Sequence, residues 1–288
     1  MANVSLAWPN LIDSTTVSGG SWMAALPAVN VQNSRISKVA RSTNTALAST
    51  ILNIDQGVGS PVAIGCLALV VHNLSVSAKV RIRGDDAADF ATPIYDSGWM
   101  DVWPAGVVPT ELLEWEDDNF WLGTLSQNAI AGYRAPFTHY PQIPQPLRYW
   151  RIEMDDTGNT DGWLQVGRVF IGKVWAPAYN MTYGMTFGYA DATVSESSLT
   201  GEEFFDVRTR TREHKFDLGF LSKEEAYSYI LNMQQQLGTS GELLISGDRD
   251  DVANTPRMCF LGRMKSLSPI TCPHYNIWTT SFEIKEIL

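Results

Sequence analysis

Between Arg148 and Pro177 the chain reads RYWRIEMDDTGNTDGWLQVGRVFIGKVWAP, and this run limits the fold more than any other stretch. Tyr149, Arg151 and Glu153 alternate with Trp150, Ile152 and Met154. After the turn-forming cluster Asp155 to Gly162, the alternation resumes through Leu164, Val166, Val169 and Ile171. A period of two sends successive side chains to opposite faces of an extended strand, so the run predicts a β-hairpin with a wide polar loop. Trp175, Ala176, Pro177 and Tyr179 end the pattern, and proline has no N–H to give a sheet ladder. That stop predicts a seam between two domains, residues 1–175 and 176–288.

A chain of 288 residues, 44% hydrophobic, has enough apolar material for two such cores. The formal net charge of -10 gives no global support for binding a phosphate backbone, and no sequence-specific nucleic-acid partner is expected. Cys66, Cys259 and Cys272 form no C-x-x-C pair, and their odd number speaks against a secreted disulfide framework; buried thiols are expected. The opening MANVSLAWPNL lacks the basic and apolar regions of a signal peptide. No run approaches the roughly 18 apolar residues of a membrane span. Synthesis in a cytoplasm without membrane insertion is the expectation.

The first part is punctuated into short strands. Ile51 and Ile54, then Val62 to His72, are apolar runs separated by Gly57-Val58-Gly59-Ser60-Pro61, and Val80 and Ile82 alternate with Arg81 and Arg83 before Gly84-Asp85-Asp86. Short strands with no amphipathic helix between them predict a β-sandwich. In chain order, LPAVNVQNSRISKVARS, LNIDQG, AIGCLALVVHNLSVSAKVRIRGDDAADF and RYWRIEMDDTGNTDGWLQVGRVFIG resemble the galactose-binding-like (discoidin-type) jelly roll. The resemblance implies that fold for residues 1–175; sugar binding does not follow from fold alone.

Residues 104–147 form an insertion of prolines, aromatics and acids with little periodicity, and so long a connection usually has a function. Trp115, Phe120, Trp121, Tyr133, Phe137 and Tyr140 either pack it down as a self-sufficient loop or dock it on a neighbouring subunit. A sugar stacked on Trp115 or Trp121 is a further reading.

Known catalytic patterns are missing or incomplete. Gly167 to Val174 lacks the Ser or Thr of a phosphate loop and continues the strand alternation. The acidic turn Asp155, Asp156, Asn159, Asp161, Gly162 lacks calcium-loop spacing and reads as solvated, as do Asp85, Asp86 and Asp89. His72, His139, His214 and His274 are isolated, with no metal-ligand companion. Glu114 with Glu116, or Asp117 with Asp118, have the chemistry of a glycosidase pair without a sign that they share a cleft. The expectation is a protein that is not an enzyme, with no catalytic residue, cofactor or metal.

In the second part, Phe204 to Phe220 (FFDVRTRTREHKFDLGF) reads as one long strand with Arg208, Arg210 and Arg212 on a common solvated or subunit-facing side. Ser222 and Glu225 form a capping box, and Ala226, Ile230, Met233 and Leu237 make one apolar helical stripe ended by Gly238. Strands follow at Glu242 to Ser246, Arg257 to Ser266 and Ile277 to Leu288.

Strand, long strand, capped helix and three strands resemble the tail-tube and distal-tail fold of long-tailed bacteriophages, and SLAWPNLIDS and TTSFEIKEIL are similar to tail proteins of that kind. The resemblance implies a mainly β chain: a galactose-binding-like jelly roll, then a tail-tube-like β-sandwich or barrel with one flanking helix. Its implied function is a structural subunit of a phage tail tip or baseplate, placed in the virion and assembled in the host cytoplasm. Its implied partners are copies of itself in a ring, trimeric or hexameric, other tail-tip proteins and fibres, and a host surface glycan. The alternative is a carbohydrate-binding module that recognises a receptor.

Overall fold

The computed structural model describes residues 3–59, 61–105, 107–108, 111, 113–116, 120–121, 123–126, 130, 134–251 and 253–288. The chain divides into two compact units, Met1–Ala176 with Glu242–Leu261, and Pro177–Gly241 with Gly262–Leu288.

The first unit is a β-sandwich. One sheet has five strands in the order Thr16–Ser18, Ile51–Asp55, Tyr149–Asp155, Lys79–Asp85, Tyr95–Asp101. The other has four, in the order Ala40–Arg41, Gln165–Gly172, Cys66–His72, Phe137–His139. The pairings are antiparallel, with Leu52 opposite Ile152 and Ile152 opposite Ile82 in the first sheet, and Val169 opposite Leu69 in the second. The alternation in the sequence turns Leu52, Ile54, Val80, Ile82, Trp150, Ile152 and Met154 inward to one core with Leu67, Leu69, Val166, Val169 and Ile171. Trp150 is fully buried, and truncating a side chain of that size in a packed core costs about 3–5 kcal/mol.

The two strands of the 148–177 run exist where predicted, but they are not a hairpin pair. Tyr149–Asp155 bonds to Ile51–Asp55 and Lys79–Asp85, whereas Gln165–Gly172 bonds to Cys66–His72 and Ala40–Arg41 in the facing sheet. Alternation fixes which side of a strand is apolar without fixing its partner. Here both apolar sides face each other across the core. The loop between them is anchored as well: Asp156 is buried and accepts from the Ser75 N–H (2.8 Å), the Ser75 hydroxyl (2.5 Å) and Asn159 Nδ2 (2.8 Å). A carboxylate with three donors is a structural tie, in place of the expected solvated turn. Asp85 is buried too and accepts from the Asp86 N–H at 2.7 Å.

The segment 242–261, placed in the second half by the sequence, belongs to the first unit because Leu243–Ser246 pairs with Ser5–Ala7, which also pairs with Val174–Trp175. Cys66 and Cys259 are buried thiols, as expected; Cys272 is exposed.

In the second unit Ile277–Glu286 pairs with Thr211–Leu221, which pairs with Thr186–Ala190 at the edge of an open sheet. The long strand expected from Phe204 to Phe220 is broken. Glu203–Asp206 forms a separate hairpin with Val194–Ser197, and the chain re-enters the sheet only at Thr211. The helical segment 225–237 is as the pattern requires, with Ala226, Ile230, Met233 and Leu237 buried. The capping box is formed in both directions: the Glu225 N–H donates to the Ser222 hydroxyl (3.2 Å), and the Ser222 N–H donates to Glu225 Oε2 (2.9 Å). The first turns, Glu225–Leu231, are of the wider π type; Asn232–Leu237 is α-helical and closes on Gly238 at φ 54°. Among the described residues no helix is long and apolar enough to cross a membrane.

Candidate functional site

The insertion 104–147 behaves in two ways at once. Val107, Leu125, Ile130, Ala135 and Phe137 sink into the sandwich core, and Phe137–His139 adds a strand beside Cys66–His72. Phe137 is only 6% exposed, which corrects its assignment as a subunit contact: a phenyl ring in register with Leu69 serves the core. Trp115 and Trp121 instead remain 74% and 83% exposed. Phe120 meets Trp121 edge to face, with ring centroids 5.4 Å apart and planes at 89°, an arrangement that suits the aromatic quadrupoles and steadies the indole. Tyr133 lies outside the described residues.

The same stretch borders a cleft of ≈ 220 Å³. Met100, Trp103, Pro104, Pro136, Phe137 and Pro256 supply its apolar walls, and His72, Asp101, Thr138, Tyr140, Ser246 and Arg249 its polar groups. Tyr140 is half-buried and lines this cleft. Burial first, then the thiols Cys66 and Cys259, hold its phenol well above the ordinary pKa, so the hydroxyl stays protonated. Arg249 lies over the Tyr140 ring, 5.2 Å from its centroid. His72 has its Nδ1 3.4 Å from the Leu74 N–H, while its Nε2 is buried without a partner. Burial lowers the His72 pKa to about 4, against a smaller opposing pull from Asp156, so the ring is neutral near pH 7. With Nδ1 accepting, the ring proton sits on Nε2.

On the outer face of the five-stranded sheet, three arginines are paired with carboxylates. Arg81 Nε donates to Asp96 (2.9 Å), Arg148 is bidentate to Asp55 (2.8 and 2.9 Å), and Arg83 pairs with Glu153. Those hydrogen bonds from Arg148 and Arg81 hold the Asp55 and Asp96 carboxyls below their ordinary pKa. Of the three arginines expected on one outer side, Arg212 differs from expectation. Arg208 and Arg210 are exposed and pair with Asp206 and Asp191, each at 3.2 Å. Arg212 is buried and donates to Glu286 at 2.6 Å, which corrects its place on a common outer face: Arg208 and Arg210 lie in the connection before the strand, whereas Arg212 is within Thr211–Leu221, beside the strand that carries Glu286.

Glu114 and Glu116 are exposed, and nothing draws them to a common cleft. Among the described residues no three His, Cys, Asp or Glu side chains are grouped to hold a metal.

No family model and no curated protein matches the sequence. Solved structures that it resembles include CBM32-1 from a family 31 glycoside hydrolase of Clostridium perfringens, at 11% identity and a TM-score of 0.38, covering 58% of this chain and 99% of that one. Another is the family 32 CBM of C. perfringens NanJ in complex with galactose, at 12% identity and a TM-score of 0.37, covering 59% and 99%. A third is a family 89 glycoside hydrolase of C. perfringens, at 12% identity and a TM-score of 0.36, of which only 15% is covered. Two of these are family 32 CBMs and the third is a glycoside hydrolase; none is a phage tail protein. The fold itself rests on the sheet order and core described above.

Proposed function

We propose that this chain is a non-catalytic carbohydrate-binding protein that holds its ligand on the jelly-roll unit, against Trp115 and Trp121. The observation that carries the reading is the contrast within residues 104–147: Val107, Leu125 and Ile130 are buried, while two large indoles are left in water. Burying a large apolar side chain stabilises by about 1.5–3 kcal/mol, so a loop that forgoes this twice keeps surface for something else to cover. A flat indole takes the C–H face of a sugar ring while its N–H and the sugar hydroxyls stay solvated. Probing a glycan array with the full chain tests the reading. A defined glycan class should bind, and Trp115→Ala with Trp121→Ala should abolish the signal; an array with no binding would sink it.

A second reading, a structural subunit of a phage tail tip or baseplate that forms rings with its own copies and meets fibres or other tip proteins in the virion, is favoured by the Val194–Ser197 and Glu203–Asp206 hairpin. Val194, Phe204 and Phe205 on that hairpin are all exposed, beyond what an isolated soluble hairpin needs. Light scattering that finds a dilution-resistant monomer would count against it.

A further inference from the structure

We propose that the cleft beside His72 is a second ligand site, separate from the exposed indoles, and that it takes a small carboxylate carried on a ring-sized body. Among the polar groups that line it, only Asp101 and Arg249 are charged near pH 7, and their situations differ. Asp101 has a cationic partner, with Lys79 Nζ at 3.7 Å. Arg249 has no carboxylate within ion-pair distance among the described residues, and its guanidinium lies over the Tyr140 ring. A guanidinium stacked on an aromatic face keeps its in-plane N–H fork free, and that fork matches the two oxygens of a carboxylate. His72 adds a neutral Nε2–H that is buried and without an acceptor, and leaving such a donor unmet is costly. A ligand oxygen within reach would recover that cost. Thr138 offers a hydroxyl to a further polar atom, whereas the Ser246 side chain is already hydrogen-bonded to Tyr140.

The remaining walls define the body of the ligand. Trp103 and Phe137 are held rigidly, 5% and 6% exposed, and the Trp103 Nε1–H is already donated to the Leu74 carbonyl at 3.1 Å. Their contribution is therefore apolar contact. With Met100 and three prolines they border a space of ≈ 220 Å³, which suits one ring. Sugar acids and aromatic acids share this chemistry.

The test titrates the isotopically labelled full chain with D-glucuronate and with benzoate, using glucose and benzyl alcohol as neutral counterparts, and follows the backbone amides of 100–103, 135, 137–138 and 246–249. Either acid should shift these amides saturably, with binding weakened by salt; which acid binds tells a sugar acid from an aromatic one. Arg249→Gln, at an exposed position, should keep the unfolding midpoint and lose at least about tenfold in affinity, the size of one charge-assisted pair. Trp115→Ala with Trp121→Ala should leave acid binding unchanged, so failure here and failure of glycan binding at the indoles are read separately. The proposal is overturned if neither acid moves these amides, if the neutral counterparts bind as tightly as the acids, if Arg249→Gln binds as before, or if the indole variants abolish acid binding.

Discussion

Glu242 reaches Arg168 from 74 residues further along the chain, accepting from its Nε at 3.0 Å and from its Nη2. Asp13 takes the other edge of the same guanidinium at 2.6 and 2.9 Å, and Asn10 Nδ2 donates to Glu242 Oε1 at 2.6 Å. Arg168 is fully buried; burial works against its charge, but the two carboxylates outweigh it and hold its pKa above the ordinary value. This cluster ties the 242–261 segment to the sandwich.

Removing one side of a buried pair strands the other, at a cost of about 3–5 kcal/mol. Glu242→Leu should therefore lower stability by that amount in urea unfolding. Asp13→Asn, at a side chain 55% exposed, should cost about 1 kcal/mol or less. Equal effects from the two substitutions would contradict the burial argument.

Acid should destabilise the second unit through His214. Its ring is stacked on Phe187 at 3.7 Å and tilted against Phe216 at 4.8 Å, and neither ring nitrogen has a partner. Burial lowers its pKa from 6.5 to about 4. The unfolded chain thus binds the proton first, so stability is fully present above pH 6.5 and falls as pH drops toward 4. The loss should be on the order of 3 kcal/mol at the bottom of that window. His72 and His139, both also lowered to about 4, add loss in the same window. Thermal midpoints against pH should fall less steeply for His214→Phe than for the native chain; identical slopes would refute the assignment.

Ser222→Ala should cost about 1 kcal/mol, because the hydroxyl satisfies the otherwise unbonded Glu225 N–H at the start of the helix. Hydrogen exchange at 223–231 should quicken before that of the sheet. Ser222→Asp, which keeps an acceptor, should restore protection.

The helix was legible because three signals agree on it: an N-cap reciprocated by Glu225, a stripe of period 3.6 from Ala226 to Leu237, and Gly238 past the end. The strands at 149–155 and 165–172 were legible for the same reason. Their partners were not, since pairing depends on residues as distant as Leu52 and Leu69. Arg212 looked like its exposed neighbours because its counter-ion, Glu286, lies at the far end of the unit's sequence. At the sites, the exposed indoles were visible as residue types, whereas the cleft was not. Arg249 and His72 are isolated in the sequence, and only the return of 242–261 to the sandwich brings them to one wall. An Arg flanked by two aspartates gives no hint that it lacks an ion-pair partner among the described residues.

Glycan binding on the jelly roll is tested most directly by the indole N–H resonances of Trp115 and Trp121 in the full chain, titrated with the tightest glycan from the array. Both should move in proportion to site occupancy, with the sugar C–H protons shifted upfield by ring current. Saturable binding that leaves both indole signals in place, or no glycan that binds at all, would contradict it.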